Sequence, residues 1–233
     1  IVNVLPSARG DDTGLSGSVH IGADWRSGNT ELLLFRAGAR GLYSNSRDMF
    51  LVLAQGEIGV KSGERFVARV FEHARYRRVA HGLWRVEAFV QHESDQFRRL
   101  SLRALLGVGA RYERPLGGGG LVAIGSAYVA EQEQLREGDE PDAGDETLSH
   151  RSSSYIALEL PFGRDAELVQ TIFVQPRLSD LSDIRVLNET ALRVPVAGTM
   201  SLRTSLTVSH DGAPPSGVSA TDFALRSSLE LGL

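Results

Sequence analysis

The sequence predicts an all-β fold: a closed, antiparallel barrel of about twelve strands that crosses a membrane. Three observations predict it. Polarity alternates with a period of two along most of the chain, so each segment has one oily and one ionic face. The alternating runs reach about 11–16 residues, where soluble strands peak near 5–6 and membrane strands need about 9–11. Aromatic residues on the oily parity gather at the ends of the runs rather than at their middles.

The elements follow in order, separated by turns rich in Gly, Asn, Asp and Pro. Residues 15–26 set Leu15, Val19, Ile21 and Trp25 against Ser16, Ser18, His20, Asp24 and Arg26, and "RSGNT" turns the chain. Residues 30–43 and 48–60 are less regular, because Leu32, Leu34, Leu51 and Leu53 share the polar parity with Arg36, Arg40 and Glu57. In 64–77, Arg65 and Arg69 oppose Phe66 and Tyr76, and in 82–94, Arg85 and Glu87 oppose Trp84. Residues 98–114 place Leu100, Leu102, Ala104, Leu106, Val108, Ala110 and Tyr112 on one face, with Ser101, Arg103, Arg111 and Glu113 on the other. Segments 120–135, 149–161 and 165–176 continue the pattern. In 182–195, Asp183, Arg185, Glu189 and Arg193 oppose Ile184, Val186, Leu192 and Val194; Arg203 marks the ionic face of 199–211. The last segment, 219–233, opposes Asp222, Arg226 and Glu230 to Phe223, Leu225, Leu229, Leu231 and Leu233.

Composition bounds the function. At 233 residues, with 42% hydrophobic and 23% charged residues, the chain is too apolar for disorder. A net charge of −4 excludes the basic stripe of a nucleic-acid binder. Without cysteine there are neither disulfides nor thiolate metal sites. No apolar run approaches the ~18 residues of a membrane helix. No basic-then-apolar leader stands at Ile1, so an exported form would be mature or trimmed. Lys61 is the only lysine; every other basic side chain is Arg, which suits crowded ion-pair networks.

In the membrane reading the oily faces meet lipid. Trp25, Tyr43, Phe50, Phe66, Tyr76, Trp84, Tyr112 and Phe223 then form aromatic girdles. Connections alternate in length, the longest being "REGDEPDAGDETLS" at 136–149, which places both termini in the periplasm and the longer loops outside. Residues 1–13 are a periplasmic extension, a frayed end or a handle for an envelope protein partner, and 14–233 are the barrel. Outer-membrane lipids and lipopolysaccharide are its surroundings. The ionic faces line a lumen with Arg36, Arg40, Glu57, Arg65, Arg69, Arg85, Glu87, Arg103, Arg111, Glu113, Asp183, Arg185, Glu189, Arg193, Arg203, Asp222, Arg226 and Glu230.

Several stretches resemble a known family. "LSGSVHIGADWRSGNTE" is similar to its opening hairpin and "FVQHESDQFRRLSLRALLGVGARY" to its central one. "QTIFVQPRLSDLSDIRVLNETALRV" is similar to its Gln-Pro strand, and "DGAPPSGVSATD" to its last loop. The family is that of the salt-induced outer-membrane proteins, domain of unknown function 481. The resemblance covers roughly 14–233 and implies a Gram-negative outer-membrane β-barrel, with no activity attached. Such chains usually finish on an aromatic assembly signal, whereas this one finishes on Leu233.

Two lumen functions remain open at this point: a barrel closed by interlocked ion pairs with a structural or partner-binding role, and a narrow pore for small anions. No enzyme and no cofactor are expected. "SHRSSS" puts His150 and Ser152 on one lipid-facing parity, resembling the His-x-Ser pair of an outer-membrane phospholipase; Glu131 or Glu133 is the candidate orienting group. A Ser-rich strand end near headgroups explains the same letters. The acidic run 137–146 lacks the spaced ligands of a calcium loop and reads as a solvated, mobile loop. "GGGG" at 117–120 has no Lys-Ser/Thr after it and is no phosphate cradle. His20, His73, His81, His92 and His210 are scattered without ligand spacing.

Overall fold

Side chains of alternating polarity need two different surroundings, and closing the sheet on itself supplies both. In the computed structural model, which describes residues 13–26, 32–61, 63–163 and 166–233, twelve strands do this. They are β1 (Gly14–Arg26), β2 (Leu32–Ser44), β3 (Asp48–Lys61), β4 (Glu64–His81), β5 (Trp84–Asp95), β6 (Leu100–Pro115), β7 (Leu121–Leu135), β8 (Glu146–Phe162), β9 (Ala166–Arg177), β10 (Asp180–Ala197), β11 (Met200–Asp211) and β12 (Thr221–Gly232). Each pairs antiparallel with its chain neighbour, and β12 returns to β1 to close the barrel. The seam is short: Ser18–Ile21 run against Leu229–Gly232. Just beyond it, the Leu233 amide donates to the Gly17 carbonyl at 2.8 Å.

The alternation resolves into outside and inside. Phe223 and Leu225 are 74% and 73% exposed, while Glu230 on the opposite parity is buried. Phe35, Val52, Leu106, Val108, Ile124, Ile156 and Leu206 continue the exposed apolar surface around the barrel. A water-facing protein rarely shows an apolar patch beyond a few hundred Å², so this exterior suits hydrocarbon. Gly14 and Leu233 lie at the same end as the turns 45–47, 82–83 and 198–199; the longer loops 96–99, 136–145 and 212–220 lie at the other. Gly82 and Gly198 adopt φ of 55° and 53° in two-residue turns, a conformation that costs glycine nothing.

Three of the leucines that broke the pattern point inward, and the Leu32 side chain lies outside the described residues. Leu51 and Leu53 pack with Leu42 and Met49 as an apolar cluster inside the barrel, and Leu34 is buried toward the other end of β2. A side chain on the ionic parity is therefore inside whether or not it is ionic. Bulges also correct the reading of parity. One between Glu57 and Ile58 registers Arg65 with Val60, which shares the parity of the exposed Ile58, and Phe66 with Gly59. The side chains of both lie outside the described residues. A second, between Leu100 and Leu102, turns Leu100 inward, where it is buried beside Leu135.

Candidate functional site

The lumen has a filled half and a hollow half. On the β4–β8 side near the short turns, Glu87 takes Arg75 at 3.1 Å, Arg77 at 3.2 Å and the Tyr155 hydroxyl at 2.9 Å. Arg111 donates to Glu113 at 2.6 Å, and Arg85 reaches the same carboxylate at 3.4 Å. The Arg75 guanidinium lies 4.6 Å from the Phe89 ring centre, and that of Arg111 5.6 Å from that of Tyr155. Close packing here depends on glycine: a Cβ on Gly107 would stand 2.1 Å from the Phe89 ring, and one on Gly125 2.3 Å from Tyr155.

Toward the long loops a second network spans β5 to β11. Arg185 bonds Glu131 at 2.7 Å, Asp211 at 2.9 Å and Glu133 at 3.0 Å. Arg103 shares Glu133 at 2.6 Å, and Arg151 joins Glu131 at 3.3 Å to Asp183 at 2.9 Å. Arg69 holds Glu93 at 2.6 Å and Asp95 at 3.7 Å. Such networks satisfy charges that are costly to bury singly, and they fix geometry more than they add stability.

The other side, from β10 through β12 and β1 to β3, encloses a cavity of about 490 Å³. Arg40, Arg203 and Glu230 line it toward the short turns; Arg36, Glu57, Glu189 and Arg226 lie further along, then Asp222 and, from the loops, Phe97, Arg98 and Gly217. Arg36 pairs with Glu57, and Glu230 takes Arg193 at 3.3 Å and Arg203 at 4.0 Å. Ser205, Thr207, Ser209 and Ser228 add hydroxyls.

The Arg65 side chain lies outside the described residues; the other expected lumen charges lie on the inner face. Sequence reasoning passed over Arg75, Arg77, Glu93, Asp95 and Asp211, although each shares the parity of a residue it selected on the same strand, and it passed over Arg151 and Glu159 on a strand where it selected no lumen residue. The interior rings Phe71, Phe89, Tyr155 and Phe173 were also missed. Among the expected girdle residues, Tyr43, Phe50 and Tyr76 stack in succession and Trp84 meets Tyr112 edge-on, all toward the short-turn end. Phe223 is at the other end, and the Trp25 side chain lies outside the described residues.

His150 and Ser152 do lie outside, with His150 Nδ1 2.6 Å from the Tyr128 hydroxyl. Glu131 and Glu133 face the lumen, bound to arginines, so the wall of the barrel separates them from His150 and they cannot orient it. The acidic run is not a free loop either. Glu140 and Asp142 hold Arg99 at 3.0 Å and 2.7 Å, and the Asp142 carboxylate also accepts the Ser216 amide at 2.7 Å.

The family model described as "Protein of unknown function, DUF481" matches residues 19–232. Comparison with curated proteins finds no match. Among solved structures, an outer-membrane channel from Pseudomonas putida F1 is similar over 98% of this chain and 100% of its own, with a TM-score of 0.52 and 12% identity. The NanC porin is similar over 93% of this chain and 97% of its own, with a TM-score of 0.50 and 10% identity. At such identities the likeness is one of fold.

Proposed function

Because the chain belongs to the DUF481 family of unknown function and folds as an outer-membrane-type barrel, we propose that it is an integral outer-membrane protein whose half-filled lumen is a narrow channel for small anionic solutes. Outer-membrane lipid and lipopolysaccharide cover the apolar exterior, and both termini face the periplasm with the short turns. One observation carries the channel reading: a hollow strip persists beside the ion-pair networks, and Arg40, Arg36, Arg226 and Arg203 punctuate it along the barrel axis. Cations placed in succession along a low-dielectric wall attract anions and offer several weak sites, as conduction requires. Two of the similar folds are a porin and a channel, which agrees with this reading.

The test is conduction in planar bilayers. Purified protein should give small, steady currents that prefer chloride to potassium, and Arg40→Glu with Arg226→Glu should reduce or reverse the preference. Silence from correctly folded protein overturns the channel. The densely paired half of the lumen favours a second reading, a closed structural barrel that binds an envelope protein; this predicts silence together with a stable companion after gentle detergent extraction.

A further inference from the structure

Several charged groups lining the hollow half of the lumen make no ion pair with another described residue, Glu189 and Arg226 among them. Glu189 is 7% exposed, lines the cavity and has an Oε2 atom with no hydrogen-bond partner. Two neighbouring cations are engaged elsewhere: Arg69 is taken by Glu93 at 2.6 Å, and Arg203 leans toward Glu230 at 4.0 Å. Arg226 lines the same cavity, and no ion pair joins it to another described residue. A buried carboxylate short of a donor is expensive, and native proteins keep such groups where something binds.

The register fixes how far apart the two ends are. Glu189 stands opposite Thr207 on β11, and Ser205, two residues before Thr207, stands opposite Arg226 on β12. The two residues are thus two strand spacings across and two residues along, about 12 Å between backbones, with both side chains directed into one hollow. Hydroxyls of Ser205 and Thr207 lie on the strand between them. The ligand that matches has a donor at one end, an anion at the other and only a few atoms between. We infer that Glu189 and Arg226 are the two poles of a binding site for a small zwitterion of amino-acid size, its ammonium on Glu189 and its carboxylate on Arg226. Both contacts are charge-assisted hydrogen bonds, stronger than neutral ones. A simple carboxylate would satisfy Arg226 and leave Glu189 orphaned; a simple amine would do the reverse. The inference goes beyond the anion reading by adding a zwitterionic solute, and it rests on the channel reading for access to the site.

The test measures binding to the detergent-solubilised barrel by saturation-transfer NMR, with the amino acid alanine, propionate and propylamine as probes. Alanine should bind about tenfold more tightly than either single-ended probe. Glu189→Gln should erase its advantage over propionate, and Arg226→Gln its advantage over propylamine, with heat-modifiable gel mobility confirming that each variant is folded. Equal affinity for the three probes overturns the site, as does a preference that survives both substitutions. The two readings fail separately: a silent bilayer with alanine preference intact sinks the channel and supports the site, whereas conduction without that preference sinks the site alone.

Discussion

The Arg99 guanidinium bonds the Asp142 carboxylate at 2.7 Å and the Ser216 carbonyl at 2.8 Å, tying loop 96–99 to loops 136–145 and 212–220 with one side chain. The Asp142 carboxylate closes the triangle by accepting the Ser216 amide at 2.7 Å. Arg99 occupies the left-handed region at φ 55°, uncommon for a residue with a Cβ, and its own carbonyl accepts the Arg136 amide at 2.7 Å. Polar contacts around a single residue therefore hold together the loops whose Phe97, Arg98 and Gly217 line the cavity.

This latch is acid-sensitive in a definite direction. The Ser216 amide and then the Arg99 guanidinium bond the charged form of Asp142, holding its carboxyl below the usual carboxylate range. A depressed folded pKa gives stability that is present above the unfolded value of about 3.9 and is lost as pH falls through the folded one. Amide hydrogen exchange across 212–220 should accelerate as pH drops below about 4, beyond the intrinsic pH trend of exchange. Asp142→Asn should accelerate it already at neutral pH. Unchanged protection of Ser216 in that variant would mean that the latch does not hold the loop.

Glu87 poses a sharper stability test. It is buried and faces Arg75, Arg77 and the Tyr155 hydroxyl, so Glu87→Gln keeps the shape and strips the charge that two buried guanidinium groups require. Breaking a buried pair from one side costs about 3–5 kcal/mol. Urea unfolding in detergent should show a loss of this size, and Glu140→Gln, at the loop pair with Arg99, should cost less than about 1 kcal/mol. Similar losses at both positions would contradict the burial argument.

Glycines of β6 and β7 rank themselves by what a methyl group would meet. At Gly109 an added Cβ would stand 2.2 Å from the Ser126 carbonyl oxygen and 2.6 Å from the Ala127 backbone, which cannot swing aside. At Gly107 it would meet the Phe89 ring at 2.1 Å, and a ring can rotate away at the expense of its contact with Arg75. Gly109→Ala should destabilise by about 1–3 kcal/mol or prevent folding, and Gly107→Ala by less. Folded yields on refolding into detergent order the two variants; a milder effect at Gly109 would contradict the ranking.

How much of this was legible in the sequence follows from what alternation encodes. Parity gave the twelve strands and the inward face of Arg103, Arg185 and Glu230, because in a closed sheet a side chain has only two sides to choose from. Parity fails where a bulge adds a residue, as at Leu100, since nothing in the letters announces the insertion. It is also silent on partners around the ring: Arg151 and Asp183 are on non-adjacent strands, and only the curvature of the barrel brings them to 2.9 Å. The latch was hidden for the same reason, because an acidic run looks solvated until Arg99 and Ser216 arrive from elsewhere in the chain.

The exterior supplies the test on which the membrane reading stands. Leu106 and Val108 are 61% and 60% exposed, and Val108 lies four residues along β6 from the Tyr112 ring at the short-turn end. If hydrocarbon covers them, Leu106→Arg or Val108→Arg should destabilise the barrel in lipid by about 2–4 kcal/mol, as charges near the midplane do. Tyr112→Arg, at the belt, should cost about 0–1 kcal/mol for its charge beyond the lost contact with Trp84. In a water-facing barrel the order reverses, because arginine at an exposed position is nearly free and only the Tyr112 contact is lost. Unfolding titrations of the three variants in phospholipid vesicles distinguish the cases, and a neutral Val108→Arg would remove the barrel from the membrane.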